Sequence, residues 1–300
     1  AGVSAQVMCH LLQQHFGGEL LEKNRFEFEV QYTQYGDFIV ELDSAYLKTL
    51  AQQQSDKQDP PTPLETITAD LLSKTSELLV PWEIVSPPIP IAELPNLRAL
   101  IDDLRSAGAL GTRHALHYAF GVHLNPELPK LDTSNIVDYL RAYFCLYDWI
   151  CSQEKVDFAR KLTPYINHFD KAYVQSIIDW DYQPTQAQLI DDYLQANPTR
   201  NRSMDMLPLF AHLDEARVRA TIDDPRIKSR PTFHYRLPNC DIDNPEWNLD
   251  HPWGLWLEVE KLSKNKTKLQ ALCEEYQSEL SRLTHPLDDN WLQHINQLID

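Results

Sequence analysis

Glycine is scarce in this chain, with 8 among 300 residues against 20 prolines. Glycine-rich loops that cradle phosphates are correspondingly few, and no GxxxxGK[ST] stretch occurs, so a P-loop has no foothold. HExxH and GxSxG are missing too, which removes zincin and serine-hydrolase readings. Cysteine is limited to Cys9, Cys145, Cys151, Cys240 and Cys273. These form neither a CxxC pair nor a zinc-finger spacing, which points to reduced thiols in a cytoplasmic protein. Positive charge is in deficit, with 27 Lys+Arg against 44 Asp+Glu and a net charge of −17. That balance argues against nucleic acid or an anionic membrane as the main partner. No apolar run approaches about 18 residues, so no membrane span is expected, and no signal-peptide pattern is visible.

What remains is ordinary globular composition, 43% apolar and 10% aromatic, in a chain long enough to bury its own core without disulfides. Ser4 to His15 has the apolar spacing of a helix, with Gly17-Gly18 as its stop. Phe26 to Val30, Phe38 to Asp43, Pro81 to Val85, Tyr118 to Leu124 and Thr232 to Leu237 read as strands. Residues 52–63 form a polar, proline-rich loop. Leu64 to Leu79, Ala92 to Ala107 and Asp132 to Ser152 read as helices, the last opened by an Asp/Thr cap. More helices are expected between Asp170 and Thr221 and from the last strand to Asp300. There is no strict βαβ rhythm and no internal repeat. The expectation is an α+β protein whose antiparallel sheet has one covered and one open face. Residues 132–197 would be a helical insertion in a main domain over 1–262, and 263–300 a C-terminal helical appendage.

Alternation assigns the open face. Opposite Phe26, Phe28 and Val30 stand Glu27 and Glu29. Opposite Phe38, Val40 and Leu42 stand Ile39, Glu41 and Asp43. Opposite Phe120, Val122 and Leu124 stand Gly121, His123 and Asn125. Opposite Phe233, Tyr235 and Leu237 stand Thr232, His234 and Arg236. Glu83 is flanked by Trp82 and Ile84. A solvated strand face usually carries Thr, Lys, Ser and Gln. This one carries carboxylates and imidazoles, which suit a hard divalent cation, together with Arg and Asn, which suit phosphate oxygens. Arg200 to Arg236 holds eight Lys/Arg and five Asp/Glu, a basic island in an acidic chain. Such an island favours a small anionic ligand over a polyanion. His114 and His117 have helical spacing while His123 falls on a strand, which argues against a zinc set. Cys145 and Cys151 on YFCLYDWIC read as core packing. Cys240, after the last strand, is a weaker candidate nucleophile. Trp247, Trp253 and Trp256 read as packing against the late strand.

The blocks GDFIVELD (36–43), PWEIVSPPIP (81–90), YAFGVHLNPE (118–127), ANPTRNRSMDMLPLFAHLD (196–214) and RPTFHYRLPNC (230–240) resemble the amidoligases. These are carboxylate–amine ligases with a glutamine-synthetase-like fold, and the likeness runs from about Ala1 to Lys261. The resemblance implies ATP and Mg²⁺ (or Mn²⁺) bound on the open face of the sheet. It implies an amide made from a small-molecule or peptide carboxylate and an amine by way of an acyl phosphate. Asp43, Glu83 and His123 match the family's metal and phosphate positions, and Glu83, His123 and Arg236 its catalytic ones. Asn125, Arg200, Asn201, Arg202 and His234 fall in its nucleotide-contacting blocks, although His234 stands where the wider superfamily often has an acid. The family opens with a Gly-x-Glu-x-Glu strand, which would precede AGVS. FEFEV (26–30) has the Glu-x-Glu spacing without the glycine and reads as a later strand. The chain is therefore expected to be either a fragment of an active ligase or a form lacking its first metal-binding strand. An inert protein that keeps the fold, and a metal-dependent amide hydrolase, are the alternatives.

Overall fold

The computed structural model describes residues 2–42, 82–112, 121–154, 168–281 and 289–299. It is an α+β structure that packs as two compact units, one made of 1–118 with 240–249 and the other of 119–239 with 250–300. The predicted helix over Leu64 to Leu79, together with Asp43, His114 and His117, lies outside the described residues.

In the first unit α1 (Ala5–Phe16) leads into an antiparallel meander of β1 (Glu19–Asn24), β2 (Glu27–Thr33), β3 (Gly36–Leu42) and β4 (Trp82–Val85). The Ser4 side chain caps α1 by accepting from the Val7 N–H. At the other end Gly17 and Gly18 both take positive φ, and a Cβ on Gly18 would sit 2.4 Å from the Gln31 carbonyl oxygen. Glycine is thus required where the helix turns back onto β2. Side-chain hydrogen bonds set the tight turns: Asn24 Oδ1 accepts from Phe26 N–H at 2.9 Å, and Thr33 Oγ1 donates to Gly36 O at 2.6 Å. The alternation holds. Phe28, Val30, Phe38 and Val40 are buried against Met8, Cys9, Leu12 and Phe16 of α1, with Phe16 stacked on Phe38. A 3₁₀ turn (Ile91–Asn96) containing Pro95 precedes α2 (Leu97–Ser106), so the helix predicted from Ala92 begins later. Proline inside the first turns removes a helical donor, which accounts for the delay.

The second unit is built on α3 (Thr133–Gln153), capped by Asp132 and buried on nearly every side from Ile136 to Cys151. A helix buried all round has no solvent face to offer and becomes the axis of a core. Around it the chain forms α4 (Lys171–Ile178), α5 (Gln186–Ala196), α6 (Leu207–Leu213) and α7 (Glu215–Thr221). After α7 come α8 (Asp250–Lys264), α9 (Lys266–Ser281) and α10 (Asp289–Ile299). Leu269, Leu272, Cys273 and Tyr276 of α9 share the core of α3. Trp256, 1% exposed, packs on Tyr139, Phe233 and Tyr235, the packing role expected of it. Cys145 and Cys151 are buried core residues, also as expected.

The sheet departs from the expectation of one continuous surface. Among the described residues the alternating segments fall into two sheets. The second is β5 (Met204–Asp205) with β6 (His234–Tyr235), extended by bridges Leu124↔Tyr235 and Glu127↔Thr232. The described part of the strand predicted over Tyr118 to Leu124 does run beside the segment Thr232 to Leu237. Their ladder is broken because Pro126, Pro231 and Pro238 carry no donor, although the first two accept from Phe233 and Leu128 and the last from Val122. No helix among the described residues is long and apolar enough to cross a membrane.

Candidate functional site

In the second unit the late strand and the loop before β5 assemble a charged cluster. Pairing Asp205 with His234 in the β5–β6 register sets their side chains together, and His234 Nδ1 lies 3.3 Å from Asp205 Oδ2. Both are buried, Asp205 fully. The His123 ring meets the His234 ring edge-on at 5.1 Å between centroids. Arg236, next on the strand, donates from Nη1 to the Arg200 carbonyl at 2.7 Å, and its backbone N–H is held by Ser203 O at 2.8 Å. Arg230 donates from Nη2 to Asn125 Oδ1 at 2.8 Å and from Nε to Thr232 Oγ1 at 3.2 Å. The structure thus brings together His123, Asn125, Arg200, His234 and Arg236 of the predicted set. It adds two residues that sequence reasoning did not single out as site residues, Asp205 and Arg230. Arg202 turns elsewhere: it donates to the His168 carbonyl and lies over the Phe169 ring. Asn201 is half-buried, its N–H on Thr199 Oγ1.

Electrostatics in this cluster is dominated by burial and guanidinium groups. Burial pushes the Asp205 carboxyl up to about 6, against the Leu207 N–H and the fields of Arg236, Arg200 and Arg230, which favour its charge. Burial, reinforced by the same three arginines, holds His234 well below the ordinary 6.5. Near neutral pH the pair is a carboxylate and a neutral imidazole, with the Nδ1–H tautomer making the hydrogen bond.

The two shifts act oppositely on stability. His234 stays neutral when folded, so below about 6.5 the unfolded chain takes up a proton that the native state refuses, and stability falls with pH. Asp205 takes up its proton first in the native state, between about 6 and 3.8, so its contribution rises as pH falls through that window. Over the shared range the slopes offset one another. Asp205→Asn leaves the histidine slope alone. Denaturant unfolding between pH 6 and 4 should then show the variant losing stability relative to wild type as pH falls, on the order of 1 kcal/mol per pH unit. Parallel pH profiles would remove the Asp205 assignment, and a variant whose stability does not fall as pH drops below about 6.5 would remove that of His234.

The first unit contributes a different feature. The strand register places Glu27 opposite Glu41, and Glu41 opposite Glu83. Period two puts all three half-buried carboxylates on the face away from α1. Facing side chains in such pairs lie about 5 Å apart at Cβ, and like charges there are mutually unfavourable. Of this row only Glu83 belonged to the predicted site; Glu27 and Glu41 were assigned to the open face without a role. Glu29 is already engaged, by Lys23 Nζ at 3.2 Å and Gln31 Nε2 at 2.7 Å. A row of hard oxygen donors suits Mg²⁺, which is commonly held by one or two carboxylates with the remaining positions filled by water and substrate phosphate. Among the described residues no group of three or more His, Cys, Asp or Glu is clustered as a ready-made metal cage.

Cys240 does not have the character of a nucleophile. Burial pushes its thiol up to about 11, and its backbone is tied to Thr112 in both directions, accepting from Thr112 N–H at 2.7 Å and donating to Thr112 Oγ1 at 2.9 Å.

In comparison with known families, the family described as "Putative amidoligase enzyme" matches residues 1–258. No curated protein and no solved structure matches the chain.

Proposed function

Because the chain belongs to the amidoligase family, we propose that it is an ATP-dependent ligase that joins a carboxylate to an amine in the cytoplasm. The observation that carries the reading beyond the family is the guanidinium cluster. Arg200, Arg230 and Arg236 all act on the buried carboxylate Asp205 and on a neutral His234. Among the described residues of this cluster that is an excess of positive charge, inside a chain of net −17. Such an excess suits a bound phosphate group rather than an internal ion pair.

The chemistry explains why the nucleotide is needed. A carboxylate does not react with an amine at neutral pH, because its leaving group would be oxide. Phosphorylation of the carboxylate makes phosphate the leaving group, and the amine then displaces it. This transfer depends on positioning and on neutralising charge. Arg236 is assigned to the transferred phosphoryl, and Arg200, Arg230 and Asn125 to the remaining phosphate oxygens. A divalent ion held by Glu83 with its neighbours Glu41 and Glu27 would supply further charge neutralisation. The β1–β4 meander is read as part of a glutamine-synthetase-like sheet. The substrates are small-molecule or peptide carboxylates and amines.

A panel assay tests the proposal. ADP and phosphate should appear with ATP·Mg only when a carboxylate and an amine are both supplied. Calorimetric binding of ATP·Mg with no turnover on any pair would support the inert alternative. Amide cleavage without ATP would support the hydrolase.

A further inference from the structure

A cavity of about 80 Å³ opens in the second unit beside the N-terminal half of α3. Its wall includes Val137, Asp138 and Arg141 of α3, Trp180 and Pro184 from the segment after α4, and Lys266 of α9. It shares no residue with the cluster described above. Arg141 is 2% exposed, and two of its three nitrogens are committed: Nε donates to the Ile177 carbonyl, and Nη2 to those of Asp179 and Tyr182. Nη1 makes no hydrogen bond among the described residues. Asp138 Oδ1 lies 3.9 Å from it, too far for one. That oxygen is sealed from solvent, whereas Nη1 is not. A charged donor on a buried side chain with no acceptor is unfavourable and marks a place where an acceptor belongs.

The charge on the wall selects the acceptor. Of the residues that line the cavity, Arg141 and Lys266 are cationic and Asp138 is acidic, which leaves one positive charge over. Lys266 Nζ pairs with Asp138 Oδ2, and its side chain is 57% exposed, so its ammonium has donors to spare. Asp179 and the α3 cap Asp132 add negative charge near by, but both are exposed, where water weakens their field. One surplus positive charge suits a monoanion. Phosphate would bring a second negative charge up to Asp138. Val137, Trp180 and Pro184 also give the wall an apolar part, which an inorganic oxyanion would leave unused. We propose that this cavity binds a small organic carboxylate, its oxygens on Arg141 Nη1 and Lys266 Nζ and its hydrocarbon end against Val137, Trp180 and Pro184. The volume admits a short aliphatic chain. The proposal stands independently of the ligase reading, because no step of that reading uses these residues.

Titration of the full chain with sodium propionate at constant ionic strength tests it, read by calorimetry and by the Trp180 indole N–H resonance, with propionamide and phosphate in parallel. Saturable binding of propionate is expected, with propionamide and phosphate each at least about tenfold weaker. Lys266→Gln should weaken propionate about tenfold, whereas Asp138→Asn should tighten it about threefold by removing the negative charge on the wall. Lys266 is exposed, so its variant tests the site even where Asp138→Asn disturbs packing. No saturable binding at tens of millimolar would overturn the proposal. So would unchanged affinity in the Lys266 variant, weaker binding by a folded Asp138→Asn protein, or a Trp180 resonance that does not follow the calorimetric midpoint. Propionamide or phosphate binding as tightly as propionate would overturn it as well.

Discussion

Arg236→Ala will slow amide formation about a hundredfold or more, and Glu83→Gln will do so to a similar extent, with both proteins still folded. The arginine sits where the backbone leaves little freedom. Its N–H is on Ser203 O, its neighbour His234 is paired with Asp205 across the β5–β6 register, and its Nη1 is anchored on the Arg200 carbonyl. A guanidinium fixed in this way requires little reorganisation as charge builds on a phosphoryl group, which is the condition under which one donor is worth two or more orders of magnitude. Glu83→Gln keeps the shape of the side chain and removes the charge a divalent ion would need. Arg236→Lys separates charge from geometry: an ammonium keeps the field but loses the planar fork, and an intermediate rate is expected. The measurement is single-turnover ADP formation with a productive carboxylate–amine pair. If Arg236 serves only to hold the Arg200 carbonyl, Arg236→Ala lowers the melting temperature and leaves the rate of the folded enzyme within about threefold of wild type. That outcome would end its assignment to phosphate.

The parts of this molecule that could be read from sequence are those where local chemistry settles the matter. Ser4 and Gly17-Gly18 bracket α1 because one supplies a side-chain acceptor and the others supply positive φ. Phe28, Val30, Phe38 and Val40 announced β2 and β3 because a half-buried antiparallel strand imposes period two. β1 carried no such signal. Its residues are exposed or half-buried, Leu20 and Leu21 included, so neither face demanded an apolar pattern. The acidic row was half legible. Alternation put Glu27, Glu41 and Glu83 on one face, but their alignment in one line depends on the register, which the tight turns fix and composition does not. Asp205 and Arg230 were harder still. In the run SMDML, Asp205 is an acid among apolar neighbours, and only pairing with a strand some thirty residues later shows that it faces a histidine and three arginines.

The largest loss of stability expected from a single change outside the proposed chemistry is at Arg141. It is 2% exposed, and its guanidinium satisfies the carbonyls of Ile177, Asp179 and Tyr182 while covering Trp180. Arg141→Ala leaves the carbonyls of Ile177, in the last turn of α4, and of Tyr182 without this donor and Asp179 O with only the Tyr182 N–H, takes away the cation beside Asp138, and opens a void against an indole ring. Removing one partner from a buried charged network typically costs about 3–5 kcal/mol, and this residue stands at the upper end because its hydrogen bonds hold a turn in place. For a chain of this size the corresponding fall in melting temperature is about 10 °C. Arg141→Lys keeps the charge but brings one compact ammonium to three separated carbonyls, so it should recover less than half of the loss. Hydrogen exchange gives the local readout: amides of α4 and of the turn that follows it should lose protection before those of α1, which belongs to the other unit. A melting temperature within about 2 °C of wild type in Arg141→Ala would show that water replaces the guanidinium at all three carbonyls, and that the turn is held by its apolar contacts instead.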